Sequence, residues 1–311
     1  MGLVEYPSSS SSSDNEDHLP PTKRRRLSKA SEPTALPPLP QSFRDLYTTP
    51  ARLSQTDDPS LHGGRQRAVP HIEGNWSAHV YLEWNPSPAE SALLSSLVSH
   101  VRSTSSSTTS LLTDSLSVAL PLHISLSAPL VLRTETKDSF RSEMLRALSS
   151  VVRTRPPLIV APQSLSWFAN AERTRSFLVL RVAETSQPQF QSQSSPTKES
   201  EDQRVLTRLL DASNAVATRF GCKALYTGDG TNNHDKTDKG AESFHISLAW
   251  SLNPNESLDE AAFAAGSRLE ELLEAANGIR IAFSEVKLRL GKEVSSVPFG
   301  RGRREKSGLF G

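Results

Sequence analysis

The sequence predicts an α+β fold in which two similar, pseudo-symmetric lobes of antiparallel sheet, with flanking helices, enclose a central cleft. Segments with strand-like alternation and segments with helical spacing interleave along the chain twice. A polar stretch at 185–202 separates the two series, and a structureless insert of this length is uncommon inside one lobe. Each series also contains one short strand with the letters HIS. These three observations predict the fold class and place the division between the lobes at 185–202.

The chain is predicted to fold only in part. Hydrophobic residues make up 36% of it, and the mean hydropathy is −0.42. Residues 1–68 contain a serine tract and scattered prolines, and such a segment cannot bury enough apolar area to offset the entropy of ordering. The basic run at 23–26 within it is typical of a nuclear import signal. We therefore expect a folded domain over 69–300 in a nuclear protein, followed by a short basic tail at 301–311.

Charge and cysteine content exclude several classes of protein. The formal net charge of +1 produces no global field for nucleic acid, so any basic footprint has to be local. Candidate phosphate contacts are Arg301, Arg303 and Arg304 in the tail. The single cysteine, Cys222, cannot form an internal disulfide or a cysteine zinc site. No apolar run is long enough to cross a membrane, so no membrane association is expected.

The first series of elements begins with a strand in GNWSAHVYLEW, where Val80, Leu82 and Trp84 alternate with polar neighbours. A helix is predicted after it, in SALLSSLVSHVRS. The next elements are a loop at 103–110, a strand at 118–126 and a helix in DSFRSEMLRALSSVV. Two strands, PPLIVAPQSLSWF and RSFLVLRVAE, complete the series and can form a hairpin.

The second series begins with a helix in DQRVLTRLLDASNAVATRF, where apolar residues recur at helical spacing. A long polar loop, YTGDGTNNHDKTDKGAES, separates this helix from the short strand FHISLAW. A second helix is predicted to begin at the N-cap Ser257 and to run through EAAFAAGSRLEELLEAA. The alternation in IRIAFSEVKLRLG predicts the last strand.

One short pattern occurs twice, as LHISL at 122–126 and as FHISL at 244–248. Because the chain has eight histidines, a chance match of three residues after any two of them is expected at roughly the 1% level. Side chains two positions apart on a strand point to the same face. In each copy the histidine and the serine therefore share one face, and the apolar residues share the other and can enter a core.

Two such strands brought together would present two imidazoles and two hydroxyls to one ligand, from His123, Ser125, His245 and Ser247. This set suits the cleavage of an RNA phosphodiester. One neutral histidine can accept the proton of a ribose 2′-hydroxyl, and one protonated histidine can donate to the departing 5′-oxygen. The serine hydroxyls can donate to the non-bridging oxygens as negative charge develops there. Because the 2′-hydroxyl already lies beside the phosphorus, we expect no metal and no other cofactor.

The remaining histidines carry weaker signals. His79 could face the same cleft, although packing within its strand is the favoured interpretation. His71 and His100 are expected at the surface. His234 lies among aspartates, but their spacing fits neither a calcium nor a zinc pattern.

The paired histidine–serine motifs with apolar flanks resemble the 2H phosphoesterase superfamily. In sequence order, GNWSAHVYLEW, PLHISLSAPLVLR, ERTRSFLVLRV and SFHISLAW resemble the family of U6 small nuclear RNA phosphodiesterases, which are nuclear 3′–5′ exoribonucleases, over about residues 70–292. The resemblance implies a 2H-like fold, catalytic histidines at His123 and His245, and phosphate-binding serines at Ser125 and Ser247. It also implies trimming of uridines from the 3′ end of U6 RNA, which leaves a 2′,3′-cyclic phosphate or a 3′-phosphate.

Two details of the site stay open on the sequence. The resemblance favours His245 as the base and His123 as the acid, whereas the residues by themselves leave both assignments possible. Members of the family often carry an aromatic residue shortly before the second motif, where it can stack on a terminal base, and the stretch DKGAES has none here. Tyr226, Trp167 and Phe299 are the candidates for stacking in its place.

Two other functions also stay open. One is a cyclic phosphodiesterase acting on small 2′,3′-cyclic nucleotides, which the basic run at 23–26 mildly disfavours. The other is an RNA-end-binding protein without turnover, which the presence of all four motif residues argues against. We expect the 3′ end of U6 RNA as the partner and a monomeric protein.

Overall fold

The computed structural model describes residues 72–104, 107–170, 172–185, 204–226, 244–258 and 267–300. The predicted tails at 1–68 and 301–311, with the basic run and the three candidate arginines, lie outside the described residues. Most of the polar stretch at 185–202 and most of the long loop before the second motif also lie outside them.

The described residues form ten strands and four helices, which confirms the predicted α+β class. The strands are β1 (Asn75–Trp84), β2 (Thr109–Ser110), β3 (Leu122–Ser125), β4 (Leu130–Arg133), β5 (Leu158–Ala169), β6 (Ser176–Glu184), β7 (His245–Ser251), β8 (Ile281–Phe283), β9 (Glu285–Leu290) and β10 (Glu293–Pro298). The helices are α1 (Pro88–Thr104), α2 (Lys137–Val152), α3 (Val205–Arg219) and α4 (Arg268–Asn277).

The strands join in one antiparallel sheet in the order β10-β9-β1-β3-β7-β6-β5-β8, with β4 beside β1 and β2 beside β7. The two strands with the HIS motif, β3 and β7, meet in the middle of this order. The sheet therefore has a first half, from β10 to β3, and a second half, from β7 to β8. Each half contains one of the two HIS motifs.

Each half of the sheet takes strands from both sides of 185–202. In the first half, β9 and β10 follow this stretch in sequence, and in the second half β5 and β6 precede it. The stretch therefore does not separate the two halves, contrary to the prediction. The physical reason is that a strand pairs where its backbone groups and its apolar face find a matching neighbour, and sequence order does not fix that choice.

One face of the sheet is apolar and forms the core with the helices. Val80, Leu82, Ile124 and Ile246 are fully buried on this face. The helices pack in two pairs, α1 with α4 and α2 with α3. Each helix contributes an apolar stripe with helical spacing, as in α2, where the buried residues are Phe140, Met144, Leu148, Val151 and Val152.

The last predicted strand is divided in the structure. A single residue, Ser284, separates β8, which pairs with β5 at one edge of the sheet, from β9, which pairs with β1. Since these neighbours in sequence lie far apart in the strand order, the sheet has to curve strongly, and β8 does lie close to β1. Alternation alone predicts an extended segment, but it cannot show a change of partner within it.

Smaller differences concern the ends of elements. The predicted strand at 118–126 is regular only over Leu122–Ser125. Ser257 and Leu258 are not helical, and α4 is capped instead by Ser267, whose side chain accepts a hydrogen bond from the Glu270 amide at 3.2 Å. Among the described residues, no helix is both long and apolar enough to cross a membrane.

Candidate active site

The two HIS motifs lie side by side at the centre of the sheet. Ile124 in β3 pairs with Ile246 in β7 in an antiparallel register. This register places His123 across from Ser247, and Ser125 across from His245. Both isoleucines are fully buried, whereas each of the four motif side chains is at least partly exposed. The sequence prediction that the two motifs share one face of a sheet therefore holds for all four residues, and we call this the polar face.

His123 has an exposed surface, but protein surrounds the rest of its ring. On β1, Glu83 lies directly across from it, and the His79 ring meets it edge to face at 5.4 Å between centroids. Desolvation by the surrounding protein lowers the pKa of His123 below 6.5, and the positive charges of Arg289 and His245 add to this effect, while Glu83 opposes it. His123 is therefore predominantly neutral at neutral pH.

His245 lies among aromatic rings. The Tyr226 hydroxyl is 3.4 Å from its Nδ1 atom, and the Phe168 ring is nearly parallel to it, at 6.2 Å between centroids and an angle of 8°. Burial raises the pKa of the Tyr226 phenol, so this hydroxyl keeps its proton over the physiological range. Because Nδ1 makes this contact, Nε2 is the nitrogen of His245 that can face a ligand.

A third histidine belongs to the polar face. The His79 Nε2 atom lies 3.2 Å from the Ser125 hydroxyl oxygen, and its ring stacks on Tyr81 at 5.3 Å between centroids. The favoured sequence interpretation, in which His79 only packs within its strand, is therefore corrected. Burial lowers the pKa of His79 to about 3, with smaller contributions from the positive charges of His123 and Arg289. His79 is thus a neutral hydrogen-bonding partner of Ser125.

The lowered pKa of His79 predicts that the protein loses stability in mild acid. Between pH 6.5 and 3 the unfolded chain binds a proton at this site and the folded protein does not, so stability rises with pH across this window. From pH 7 to pH 5 the free energy of unfolding should fall by about 2 kcal/mol through His79. In His79→Gln this contribution should be absent, as measured by urea unfolding at both pH values. His100→Gln, on α1, is the matched control, and equal pH slopes in His79→Gln and the wild type would refute the prediction.

Charged residues of β9 complete the polar face. The Lys287 Nζ atom lies 3.1 Å from a Glu83 carboxylate oxygen, and the two side chains are only 2% and 6% exposed. Glu285 lies 3.7 Å from the same ammonium group. Arg289 is half-buried, lies across from His79, and has no ion pair with a carboxylate among the described residues. Its guanidinium is therefore the part of the polar face best suited to an anionic ligand.

The structure separates the three residues predicted to stack on a base. Tyr226 lies beside His245, as described above. Trp167 pairs with the buried Leu178 and packs against the core, so strand alternation turns it away from the polar face. Phe299 is 5% exposed and belongs to the core. Trp167 and Phe299 are therefore not placed to stack on a base bound at the polar face.

The sequence contained signals for the residues that the prediction missed. In VKLRL at 286–290, Lys287 and Arg289 alternate with buried apolar residues, which indicates a strand with one polar face. The neighbour of Trp167, Phe168, is 44% exposed and lies on the same face as His245. What the sequence lacked was the pairing of β1 with β9, of β5 with β6 and of β6 with β7, which brings these faces together.

Metal ligands are not clustered in the described ranges. Within them, no group of three or more histidine, cysteine, aspartate and glutamate side chains could hold a metal ion. His234 lies outside these ranges.

Comparison of the sequence with known proteins gives one family and a set of named relatives. A sequence model of the HVSL family, described as an uncharacterised conserved protein, matches residues 37–298. A relative from Neurospora crassa named U6 snRNA phosphodiesterase 1 is 39% identical over 241 residues, which cover 73% of this chain and 62% of the relative. The human protein of the same name is 24% identical over 306 residues, which cover 95% of this chain and 97% of the human protein. The chain thus spans about three fifths of the length of the Neurospora relative.

Comparison of the structure gives a likeness to a solved protein. The structure of Kluyveromyces marxianus Usb1 with uridine monophosphate aligns with a TM-score of 0.44 and 15% sequence identity. The alignment covers 72% of this chain and 98% of the Kluyveromyces chain.

Proposed function

Because the chain belongs to the HVSL family of U6 small nuclear RNA phosphodiesterases, we propose that it is a metal-independent 3′–5′ exoribonuclease that trims the uridine tail of U6 small nuclear RNA. The proposed substrate is taken from the name of its relatives, U6 snRNA phosphodiesterase 1. The observation that carries the proposal is the pairing of Ile124 with Ile246, which sets two imidazoles and two hydroxyls on one face of adjacent strands. Such a set provides an acid, a base and donors to phosphate oxygens without further groups.

The reaction requires two proton transfers around one phosphorus atom. The base accepts the proton of the 2′-hydroxyl of the penultimate nucleotide, and the 2′-oxygen forms a bond to the phosphorus. The bond from phosphorus to the 5′-oxygen of the terminal nucleotide breaks, and the acid donates a proton to that oxygen. The shortened RNA ends in a 2′,3′-cyclic phosphate, which water can open to a 3′-phosphate. In this proposal His245 is the base and His123 is the acid.

The surroundings of His245 suit the role of base. For Nε2 to accept a proton, Nδ1 has to carry the hydrogen of the neutral ring. The oxygen of the protonated Tyr226 hydroxyl, 3.4 Å away, can accept a hydrogen bond from Nδ1 and hold that tautomer. Tyr226 then acts as a positioning residue for His245.

The surroundings of His123 suit an acid that becomes charged when substrate binds. Desolvation and the charges of Arg289 and His245 lower its pKa. A phosphodiester anion beside the ring favours the imidazolium and opposes this lowering. Glu83, across the strand pair, acts in the same direction as the anion. Binding and protonation of His123 are therefore coupled.

The two serines are proposed to bind the non-bridging oxygens. Ser125 can give its proton to an oxygen only if His79 does not accept it. A neutral His79 with its hydrogen on Nε2 donates to the Ser125 oxygen across 3.2 Å and leaves the serine proton for the phosphate. The low pKa of His79 keeps the ring in the neutral form that this arrangement needs.

A cleavage assay in excess EDTA tests the proposed function. An RNA that ends in several uridines should be shortened, and the same RNA with a 2′-deoxy residue at the penultimate position should not, because it lacks the nucleophile. Shortening of both would mean that water attacks directly and that the two-histidine mechanism is wrong. No shortening of either would leave only a binding protein, and turnover of 2′,3′-cyclic uridine monophosphate in its place would point to a cyclic nucleotide phosphodiesterase.

We also infer a nuclear location from the same substrate, and we propose that the protein is a monomer. The basic run at 23–26 supports import, and Arg301, Arg303 and Arg304 supply local positive charge for phosphate contacts. Imaging of the full chain beside a variant with 23–26 changed to alanine tests the first inference, and its molar mass in solution tests the second.

A further inference from the structure

Phe168 is a large apolar side chain left open at the polar face. It is 44% exposed, although most phenylalanines among the described residues are buried in the core. Its ring lies 6.2 Å from the His245 ring and nearly parallel to it. Contact of an apolar ring with water is unfavourable, so a ligand that covers the Phe168 ring gains free energy from the apolar surface that it buries.

The position of Phe168 is set by rigid elements. It lies near the end of β5, which pairs with β6 over most of its length, and a bulge between Pro162 and Ser164 changes the register four residues before it. Bulges of this kind re-aim the side chains that follow, and they often occur beside active sites. The ring is therefore held in place by the sheet and not by a loop.

A positive charge lies over the same ring. The Arg181 guanidinium carbon is 5.8 Å from the Phe168 centroid, and Arg181 is the cross-strand neighbour of His245. An exposed aromatic ring with a guanidinium close by suits a nucleotide, since the ring can stack on the base and the cation favours both the base and its phosphate.

We propose that Phe168, with Arg181 close by, is the stacking platform for the base of the nucleotide whose ribose lies against His245. This inference rests on the proposed RNA-cleaving function and deepens it. With His245 as the base of the reaction, the stacked nucleotide is the penultimate one, which provides the attacking 2′-hydroxyl. Stacking then fixes the ribose of that nucleotide relative to His245.

Tyr226 is less well placed to be this platform. Its ring meets both His245 and Phe244 edge to face, at 6.2 and 6.1 Å between centroids. Its hydroxyl points to His245, and its side chain is only partly exposed. The geometry therefore gives Tyr226 the task of orienting His245 and leaves Phe168 as the open ring.

The test compares Phe168→Ala with Phe168→Trp and with a matched control, Leu252→Ala. Leu252 is 49% exposed and follows the far end of β7, so its removal also deletes an exposed apolar side chain. On an RNA ending in uridines, Phe168→Ala should lower kcat/KM by about tenfold, the loss typical of one stacked base. Phe168→Trp should keep most of the activity, and Leu252→Ala should change nothing.

Two abasic RNAs show whether the loss comes from stacking. One lacks the base of the penultimate nucleotide and the other lacks the terminal base. The difference between the wild type and Phe168→Ala should disappear on the penultimate abasic RNA and persist on the terminal one. A loss that persists on both RNAs would mean that Phe168 only supports His245, and a loss that disappears only on the terminal one would assign the platform to the leaving nucleotide; either result overturns the proposal as stated.

A binding measurement separates this proposal from the proposed function. Fluorescence anisotropy of labelled oligouridylate, with and without the penultimate base, requires no turnover. The wild type should bind the complete RNA about tenfold more tightly than Phe168→Ala does, and the two proteins should bind the abasic RNA equally. Equal binding of the complete RNA by both proteins would exclude the platform, whether or not the wild type cleaves RNA.

Discussion

His123→Ala and His245→Ala should each lower the rate of RNA cleavage by roughly a hundred- to ten-thousand-fold, because each variant lacks one of the two proton transfers. Both side chains lie on the polar face, while the neighbouring isoleucines hold the core. The variants should therefore fold and bind RNA much as the wild type does. Single-turnover cleavage of an end-labelled RNA measures the rate, and anisotropy measures binding at the same salt concentration.

His100→Ala provides the control for this pair of variants. His100 lies on α1, and its replacement should leave the cleavage rate within about twofold of the wild type, as is usual for changes away from a site. The double variant of His123 and His245 should be far less impaired than the product of the single losses, because groups that act in one step are not additive. A single variant with more than about a tenth of the wild-type rate would contradict the proposed acid and base.

Glu83→Ala should lower the free energy of unfolding by about 3–5 kcal/mol, because it leaves the buried Lys287 ammonium without its closest carboxylate. The Lys287 side chain is only 2% exposed, and a second carboxylate, that of Glu285, is 3.7 Å away. Urea unfolding at pH 7 measures the change. The variant should also lose activity, since Glu83 opposes the lowering of the His123 pKa, so less of the acid would be protonated.

Glu293→Ala provides the matched control, since it breaks an ion pair at the surface. The Arg141–Glu293 pair has a similar separation of 2.9 Å, but its side chains are 41% and 69% exposed. Water and salt screen such a pair, and its loss should cost less than about 1 kcal/mol. If Glu83→Ala lowered the free energy of unfolding as little as Glu293→Ala does, the prediction would be wrong. Such a result would mean that water reaches the Lys287 ammonium in the variant. Replacing Glu83 and Lys287 together by leucine and methionine should restore much of the stability.

The faces of individual strands could be predicted from the sequence. Alternation has a period of two residues, so the HIS motifs fix that His123 and Ser125 share a face, and that His245 and Ser247 do too. The same rule applied to 166–168 would have placed Trp167 and Phe168 on opposite faces. Helical spacing likewise predicted α1, α2 and α3 close to their observed bounds. These features are local, and a local pattern determines them.

Partners between strands could not be predicted, because pairing depends on contacts between residues distant in sequence. Nothing in IRIAFSEVKLRLG shows that the chain changes partner at Ser284. Yet this change brings Lys287 and Arg289 beside β1 and next to His123. For the same reason the stretch at 185–202 does not divide the sheet.

The sequence by itself determined the class of fold, the two motifs and the four residues to which we assign phosphodiester cleavage. The tertiary structure decided how these residues are tuned. It set His79 against Ser125, Tyr226 and Phe168 against His245, and Arg289 and Glu83 around His123. A side chain's type is a property of the sequence, whereas its pKa, its tautomer and its exposure depend on neighbours that only the packed sheet supplies.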